Sequence, residues 1–298
     1  MQPIISISAG LDVHKNIVIC TVLSGKPDSA PEKITKEFRT FKKDLYSLVL
    51  WLCELNVELA VMESTGIYWQ KLYEILEEAN IRTYVVNARH VKQVPGRKTD
   101  VQDSEWLAEL ARYGLLKASF IPPRDLRELR QITRYRRKLK GCAAAEKNRL
   151  GKTLDACGIR LSSVVSSIDG VSAIRMIEAL IEGKLTPKDI AKLAKGRLKA
   201  KRDDLVMALE GSISDRHRYL LQQILKHMQW LEDQIQDIDS QIVAAMEPYL
   251  EQWQLLQTMP GIKEISAAML LAEIAADMDQ FGSGSRLWSW GRCVSWQQ

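Results

Sequence analysis

Two consecutive prolines, Pro122 and Pro123, divide this chain into parts that cannot share one architecture. Before them, short apolar or alternating segments with strand character are interleaved with segments that carry apolar residues on one helix face. After them the strand signal ends and only helical periodicity continues. Proline removes a backbone donor and drives the residue before it out of helical geometry, so the pair marks a boundary. A chain of 298 residues is long enough to bury a core on each side of it.

In the first part, residues 4–11 and 17–23 read as strands, joined by a short polar connection. Residues 36–41 supply a possible third strand and residues 43–55 a helix with Leu45, Leu48, Val49 and Leu52 on one face. A short buried strand at 59–62, a helix at 67–79 and a strand at 83–86 follow. Strands grouped first, then helix and strand in turn, predict an α/β domain with a mixed sheet. In the second part, residues 124–158 form one long helical pattern and residues 162–201 shorter helices with a break at Thr186 and Pro187. From Leu221 to Tyr249 the apolar positions alternate steps of three and four. That spacing fits a coiled-coil seam, and it fits equally a long antiparallel helix packed on a neighbour. Pro248 should interrupt it. The expected organisation is an α/β domain over 1–122, a basic and helical or coiled-coil region over 123–250, and a C-terminal segment over 251–298.

Composition excludes several classes. Hydrophobic residues at 46% and charged residues at 27% are those of a globular chain, not a disordered or collagenous one. No stretch of about 18 apolar residues is present, so no membrane span is expected. Residues 1–10 lack a basic segment before their apolar run, which leaves the cytoplasm as the expected location. Five cysteines without a C-x-x-C pair support neither a disulfide framework nor a zinc knuckle. His14, His90, His217 and His227 lack metal-ligand spacing, so a metal here should be held by oxygen.

Charge is more informative in its distribution than in its total. The net charge is +5, yet residues 124–152 carry eleven Lys and Arg against three acids, a local +8 that leaves −3 for the rest. Arg127, Arg130, Arg134 and Arg137 follow helical spacing as one basic stripe, with Lys138 one step on. Such a stripe can track a phosphate backbone, and nothing in it indicates base-edge readout. The plainer reading is a solvated helix face. Farther on, Pro260-Gly261-Ile262 lies between apolar segments as a helix–turn–helix start. Such a turn either aims free N–H groups at a phosphate, as in a helix-hairpin-helix unit, or simply turns the chain.

Four acids stand where this fold would put them to use. Asp12 follows the first apolar strand, Glu63 ends the buried strand at 59–62, and Asp100 and Asp103 begin a helix, three apart and so on one face. Singly each reads as a turn or cap residue. Together they form a set of carboxylates that a divalent cation would neutralise.

The segments Gly10-Leu11-Asp12-Val13-His14-Lys15, Val61-Met62-Glu63-Ser64-Thr65-Gly66 and Lys98-Thr99-Asp100-Val101-Gln102-Asp103-Ser104-Glu105 closely resemble three motifs of the DEDD insertion-sequence transposases. A fourth likeness runs from Met259-Pro260-Gly261-Ile262 through Ser266-Ala267-Ala268 to Leu271-Ala272-Glu273-Ile274. The resemblance spans residues 8 to 287. It implies a RuvC-like, ribonuclease-H-type N-terminal domain whose catalytic and metal-binding tetrad is Asp12, Glu63, Asp100 and Asp103. It also implies two Mg²⁺ or Mn²⁺ ions and DNA partners in the element ends and the target; the strand-end placement of Asp12 makes it the residue expected to bridge the ions. An element-encoded guide RNA, assembly into a homo-oligomer and a prokaryotic, nucleoid-associated setting are further implications.

The family carries its covalent serine nucleophile in the C-terminal domain. Here residues 288–298 read Trp-Ser-Trp-Gly-Arg-Cys-Val-Ser-Trp-Gln-Gln, so the expectation is a truncated C-terminal domain, with neither Ser289 nor Ser295 assigned as nucleophile. An active transposase is the first reading. The alternatives are a catalytically defective remnant that only binds nucleic acid, and a RuvC-like nuclease or junction resolvase.

Overall fold

The computed structural model describes residues 4–25, 30–64, 66–87, 91 and 103–288. It resolves two compact units, Met1–Arg124 and Asp125–Gln298. The division falls just past the two prolines.

Unit 1 is a five-stranded mixed sheet flanked by helices, as the alternating pattern predicts. Strands β1 (Ile7–Val13), β2 (Ile17–Ser24) and β3 (Glu32–Arg39) form an antiparallel meander. β4 (Leu59–Glu63) and β5 (Thr83–Val86) then add in parallel beside β1, giving the order β3-β2-β1-β4-β5. The strand period of two sorts side chains to opposite faces. Ala9, Leu11, Val13, Ala60 and Met62 face helices α1 (Lys42–Glu54) and α2 (Trp69–Glu78), which cover them with Leu48, Leu52, Leu72 and Leu76. The other face of β4, Leu59 and Val61, receives α3 (Asp103–Arg112) through Leu107, Leu110 and Ala111. The edge strand β3 is exposed almost throughout, and its charged sequence Glu-Lys-Ile-Thr-Lys-Glu-Phe-Arg discourages pairing with another edge.

Gly10 sets how closely α3 approaches the sheet. A Cβ built there would lie 1.8 Å from the carbonyl oxygen of Ser104 and 2.6 Å from the amide nitrogen of Ala108. Backbone rests on backbone, so no side chain can be accommodated without moving the helix. Ser8 reinforces the contact by donating from Oγ to the Ala108 carbonyl at 2.8 Å.

Unit 2 is helical, again as the sequence predicts. Its frame is α4 (Arg124–Ala156), α5 (Val171–Glu182), α6 (Pro187–Ala191), α7 (Arg202–Leu209), α8 (Asp215–Ala244), α9 (Leu250–Gln257) and α10 (Glu264–Ile274). The break at Thr186 and Pro187 has a local cause: the Thr186 hydroxyl accepts from the Asp189 amide and Pro187 takes the first helical position.

The apolar seam of α8 is consumed within the chain. Leu231 and Ile235 pack on Leu139 of α4, while Leu221 and Ile224 join Leu150 and Leu154 in the core that α5, α6 and α7 complete. Residues rising along α4 thus meet residues falling along α8, and the two run antiparallel. Polar contacts follow the same register: ion pairs of Arg136 with Asp239 and of Lys140 with Glu232 at 3.4 Å, and a hydrogen bond between His227 and the buried Glu146 at 3.1 Å. The helix stops before Pro248, where the Tyr249 hydroxyl donates to Asp125 at 2.5 Å. Burial and that bond push the Tyr249 pKa up to about 12. Among the described residues, no helix is long and apolar enough to cross a membrane.

Replacing Gly10 with Ala should destabilise the protein by about 1–3 kcal/mol, the usual cost of forced overpacking. Gly141→Ala is the control, because a Cβ on that α4 glycine meets nothing within 4 Å. It should be neutral or stabilising by up to about 1 kcal/mol. Denaturant titration of both variants checks the contrast, and equal effects would refute the role given to Gly10.

Candidate active site and basic helix

β1 and β4 end together. Their last parallel pair is Leu11 with Met62, so Asp12 and Glu63 stand side by side one residue farther on. Alternation puts both on the face that holds Gly10 and Val61, which is the face α3 covers. Adjacent strands lie about 4.8 Å apart, a separation comparable with the roughly 4 Å between ions of a two-metal site. Asp12 is a quarter exposed, and its Oδ2 lies 3.0 Å from His14 Nε2, while Glu63 is half-buried.

Asp103 is the first residue of α3 and is exposed. Its helix start is fastened to the sheet from two sides. The Ser104 hydroxyl, fully buried, hydrogen-bonds the Thr21 hydroxyl of β2 at 2.9 Å, and Glu105 pairs with Lys33 of β3 at 2.9 Å. With the Gly10 contact, these fix the first turn of α3 over Gly10 and Thr21, on the sheet face of the strand-end carboxylates. Gly10 and Ser104, which stand in the motifs, and Thr21 and Lys33, which lie outside them, are therefore positioning residues whose part the motifs do not reveal. A glycine inside a strand was the available signal, because it marks close backbone approach.

Asp100 lies outside the described residues. Among those described, no three His, Cys, Asp or Glu side chains are grouped closely enough to hold a metal ion. Asp12 is instead engaged with His14. The donor set still fits a hard cation, because Asp12, Glu63 and Asp103 offer only carboxylate oxygens, the ligands Mg²⁺ prefers.

In unit 2 the expected basic stripe is divided between two uses. Arg130 is mostly buried: its Nε donates to the Ala272 carbonyl at 3.1 Å and its Nη2 to the Glu273 carbonyl at 2.9 Å. It thereby satisfies orphan carbonyls at the C-terminus of α10 and complements the negative end of the helix dipole. Burial lowers the Arg130 pKa from its usual value, and the Glu273 carboxylate opposes that. Arg134 forms a two-pronged pair with the same Glu273 at 3.1 and 3.2 Å. Arg136, outside the expected stripe, is held by Asp239. Arg137 and Lys138 remain exposed, and Arg127 is half-buried. The Pro260-Gly261 turn does join two helices, α9 and α10. Gly261 has φ +87°, which explains the glycine.

The comparisons with known proteins define the class first: two separate matches are to transposases. Residues 9–159 match the IS110-type DEDD transposases, and residues 253–295 match the IS116/IS110/IS902 transposase family. The first match covers half of the sequence, and the chain belongs to the IS110-type DEDD transposase family. The second includes most of the Trp-rich segment that sequence reading set apart, and residues 289–298 lie outside the described structure. No curated protein matches the chain. The structure is similar to Thermus thermophilus RuvC alone (TM-score 0.29) and in complex with Holliday junction substrate (TM-score 0.28). Both are at 14% identity, over 38% of this chain and 99% of each RuvC chain.

Arg130→Gln should cost about 1.5–3 kcal/mol, the range for hydrogen bonds made by a charged group, because the α10 carbonyls lose their donor. Arg137→Gln with Lys138→Gln should change stability by less than about 0.5 kcal/mol, as for ordinary surface positions. Urea titration of the two variants separates them. Equal stability losses would erase the distinction between the structural and the exposed cations.

Proposed function

We infer that this transposase cleaves and exchanges DNA strands with divalent metal held by Asp12, Glu63, Asp100 and Asp103. The observation that carries the reading is the pairing of Asp12 and Glu63 at adjacent parallel strand ends, on the sheet face where the helix start bearing Asp103 is fastened. A divalent ion bound there would lower the pKa of an attacking water and neutralise charge on the leaving oxygen. The protein's part is to fix the carboxylates before substrate arrives. Asp12 follows β1, the strand that neighbours β4 and carries the Gly10 contact with α3, and is the residue we assign to bridge two ions. His14, 3.0 Å from Asp12, would release that carboxylate when the cation binds and can then serve as a donor to a nearby phosphate oxygen.

DNA is the substrate, and Arg137, Lys138, Arg134 and Arg127 are the α4 cations we assign to its backbone, with the Gly261 turn as an additional contact. Arg130 contributes by holding α10. A guide RNA supplies target choice by base pairing, as in other RNA-guided systems, which accords with a chain that offers cations rather than a base-reading helix. The protein works as a homo-oligomer, and its assembly surface must be other than the α8 seam, which is buried within unit 2.

Incubation with branched and linear DNA plus Mg²⁺ or Mn²⁺ should produce nicks that a chelator abolishes and added metal restores. Asp12→Asn and Glu63→Gln should each lose more activity than the roughly 10–100-fold typical of residues that merely support a ligand. DNA binding without metal-dependent nicking would favour the binding-only remnant. Nicking confined to four-way junctions would favour the junction resolvase.

On duplex DNA, Arg137→Gln with Lys138→Gln should flatten the plot of log K against log salt by about 0.9 for each phosphate that the variant no longer neutralises. An unchanged slope would return those two cations to the solvated-face reading.

A further inference from the structure

A cavity opens on the opposite face of the sheet at the same strand ends. Its floor is Val13, Val18, Leu45 and Leu72, all buried, and Val13 directly follows Asp12 in β1. Its rim carries Lys15, Lys71, Thr40 and Tyr68, with no acid among the lining residues. The Thr40 hydroxyl donates to the Lys15 carbonyl at 2.8 Å, which fixes the β1–β2 turn over the opening. Tyr68, 44% exposed, reaches the rim only five residues after Glu63, through a turn in which Gly66 has φ +61°. Lys71 spends one N–H on Glu74 at 2.8 Å and retains others for a ligand.

We propose that this cavity receives one unstacked nucleobase of the DNA strand whose scissile phosphate lies at Asp12 and Glu63, with Lys15 and Lys71 holding an adjoining phosphate. The proposal rests on the catalytic reading above. Three features select this occupant. Apolar walls with an exposed tyrosine suit a planar ring, since every base has a face that stacks on an aromatic side chain. Two cations, Lys15 and a Lys71 that is shared with Glu74, suit the phosphodiester attached to it. The volume, about 260 Å³, lies below the roughly 300–1,000 Å³ of sites for larger ligands and suits a single ring system. The connectivity sets the spacing: Asp12 and Val13 are consecutive and point to opposite faces, so a strand crossing the sheet end meets the carboxylates and then the cavity. A second cavity of similar size, beside Ile5, Leu59 and Tyr84, lies at the opposite end of β1 and β4, away from Asp12 and Glu63.

The test uses the full chain and a branched DNA carrying 2-aminopurine, in turn, at each position around the branch. Ca²⁺ is used for fluorescence and Mg²⁺ for nicking on the same molecules. Fluorescence should rise at one or two positions beside the nick. Tyr68→Ala should abolish the rise, and Lys15→Gln with Lys71→Gln should weaken binding, while circular dichroism of both variants matches the parent. No rise at any position, or a rise that survives both variants, overturns the proposal even where Asp12-dependent nicking is intact. Absence of nicking in the parent removes the catalytic reading instead. In that case a Tyr68-dependent rise would still support the cavity as a base site.

Discussion

The close contact between Gly10 and the first turn of α3 is the constraint on which the candidate site depends. Strand-end acids are common, and by themselves Asp12 and Glu63 would be two partly solvated carboxylates. The missing side chain at Gly10 lets the backbone of Ser104 rest directly on β1. The Thr21–Ser104 hydrogen bond then satisfies a hydroxyl that burial would otherwise leave without a partner, at a cost of about 1–3 kcal/mol. The helix start that bears Asp103 is thus held on the sheet face of Asp12 and Glu63 by packing rather than by attraction, which matters because like charges oppose their own assembly.

Unit 2 resolves a competition for its basic residues. A helix with eleven cations in 29 residues would repel itself if all faced solvent, and the structure gives several of them internal work. Arg130 and Arg134 secure the end of α10 on Glu273, and Arg136 and Lys140 set the register of α4 against α8. Apolar burial of Leu139, Leu231 and Ile235 brings the helices together, but it tolerates sliding by a turn. The directional Arg136–Asp239 pair does not. This is why the long apolar spacing of α8 serves an internal partner, with its charges matched at successive turns of α4.

The two faces of the sheet divide the chemistry at its end. Odd and even positions of β1 point opposite ways, so Asp12 and Val13 belong to different surfaces although they are neighbours in the chain. One surface carries Asp12 and Glu63 on the face that α3 packs against, and the other carries lysines and an aromatic ring beside α2. A phosphodiester strand carries both the anion that metal-bound acids would act on and the base and phosphate that the second surface would hold.

The elements and their order follow from local signals in the chain. The period-two and helical patterns, the proline pair and Pro248 set the mixed sheet, the all-helical second part and the point where α8 stops. The motifs around Asp12, Glu63 and Asp103 were legible for the same reason, since each is a run of neighbouring residues. Partnership was not legible. The spacing from Leu221 to Tyr249 suits a coiled coil between chains as well as an antiparallel pair within one, and only the opposing arrangement of α4 chose between them. The stripe from Arg127 to Lys138 reads as uniform, and tertiary structure alone buried Arg130 against the α10 carbonyls while leaving Arg137 and Lys138 exposed. Periodicity reports which face of an element is apolar or charged; what meets that face depends on residues a hundred or more positions away, as Arg130 and Glu273 show.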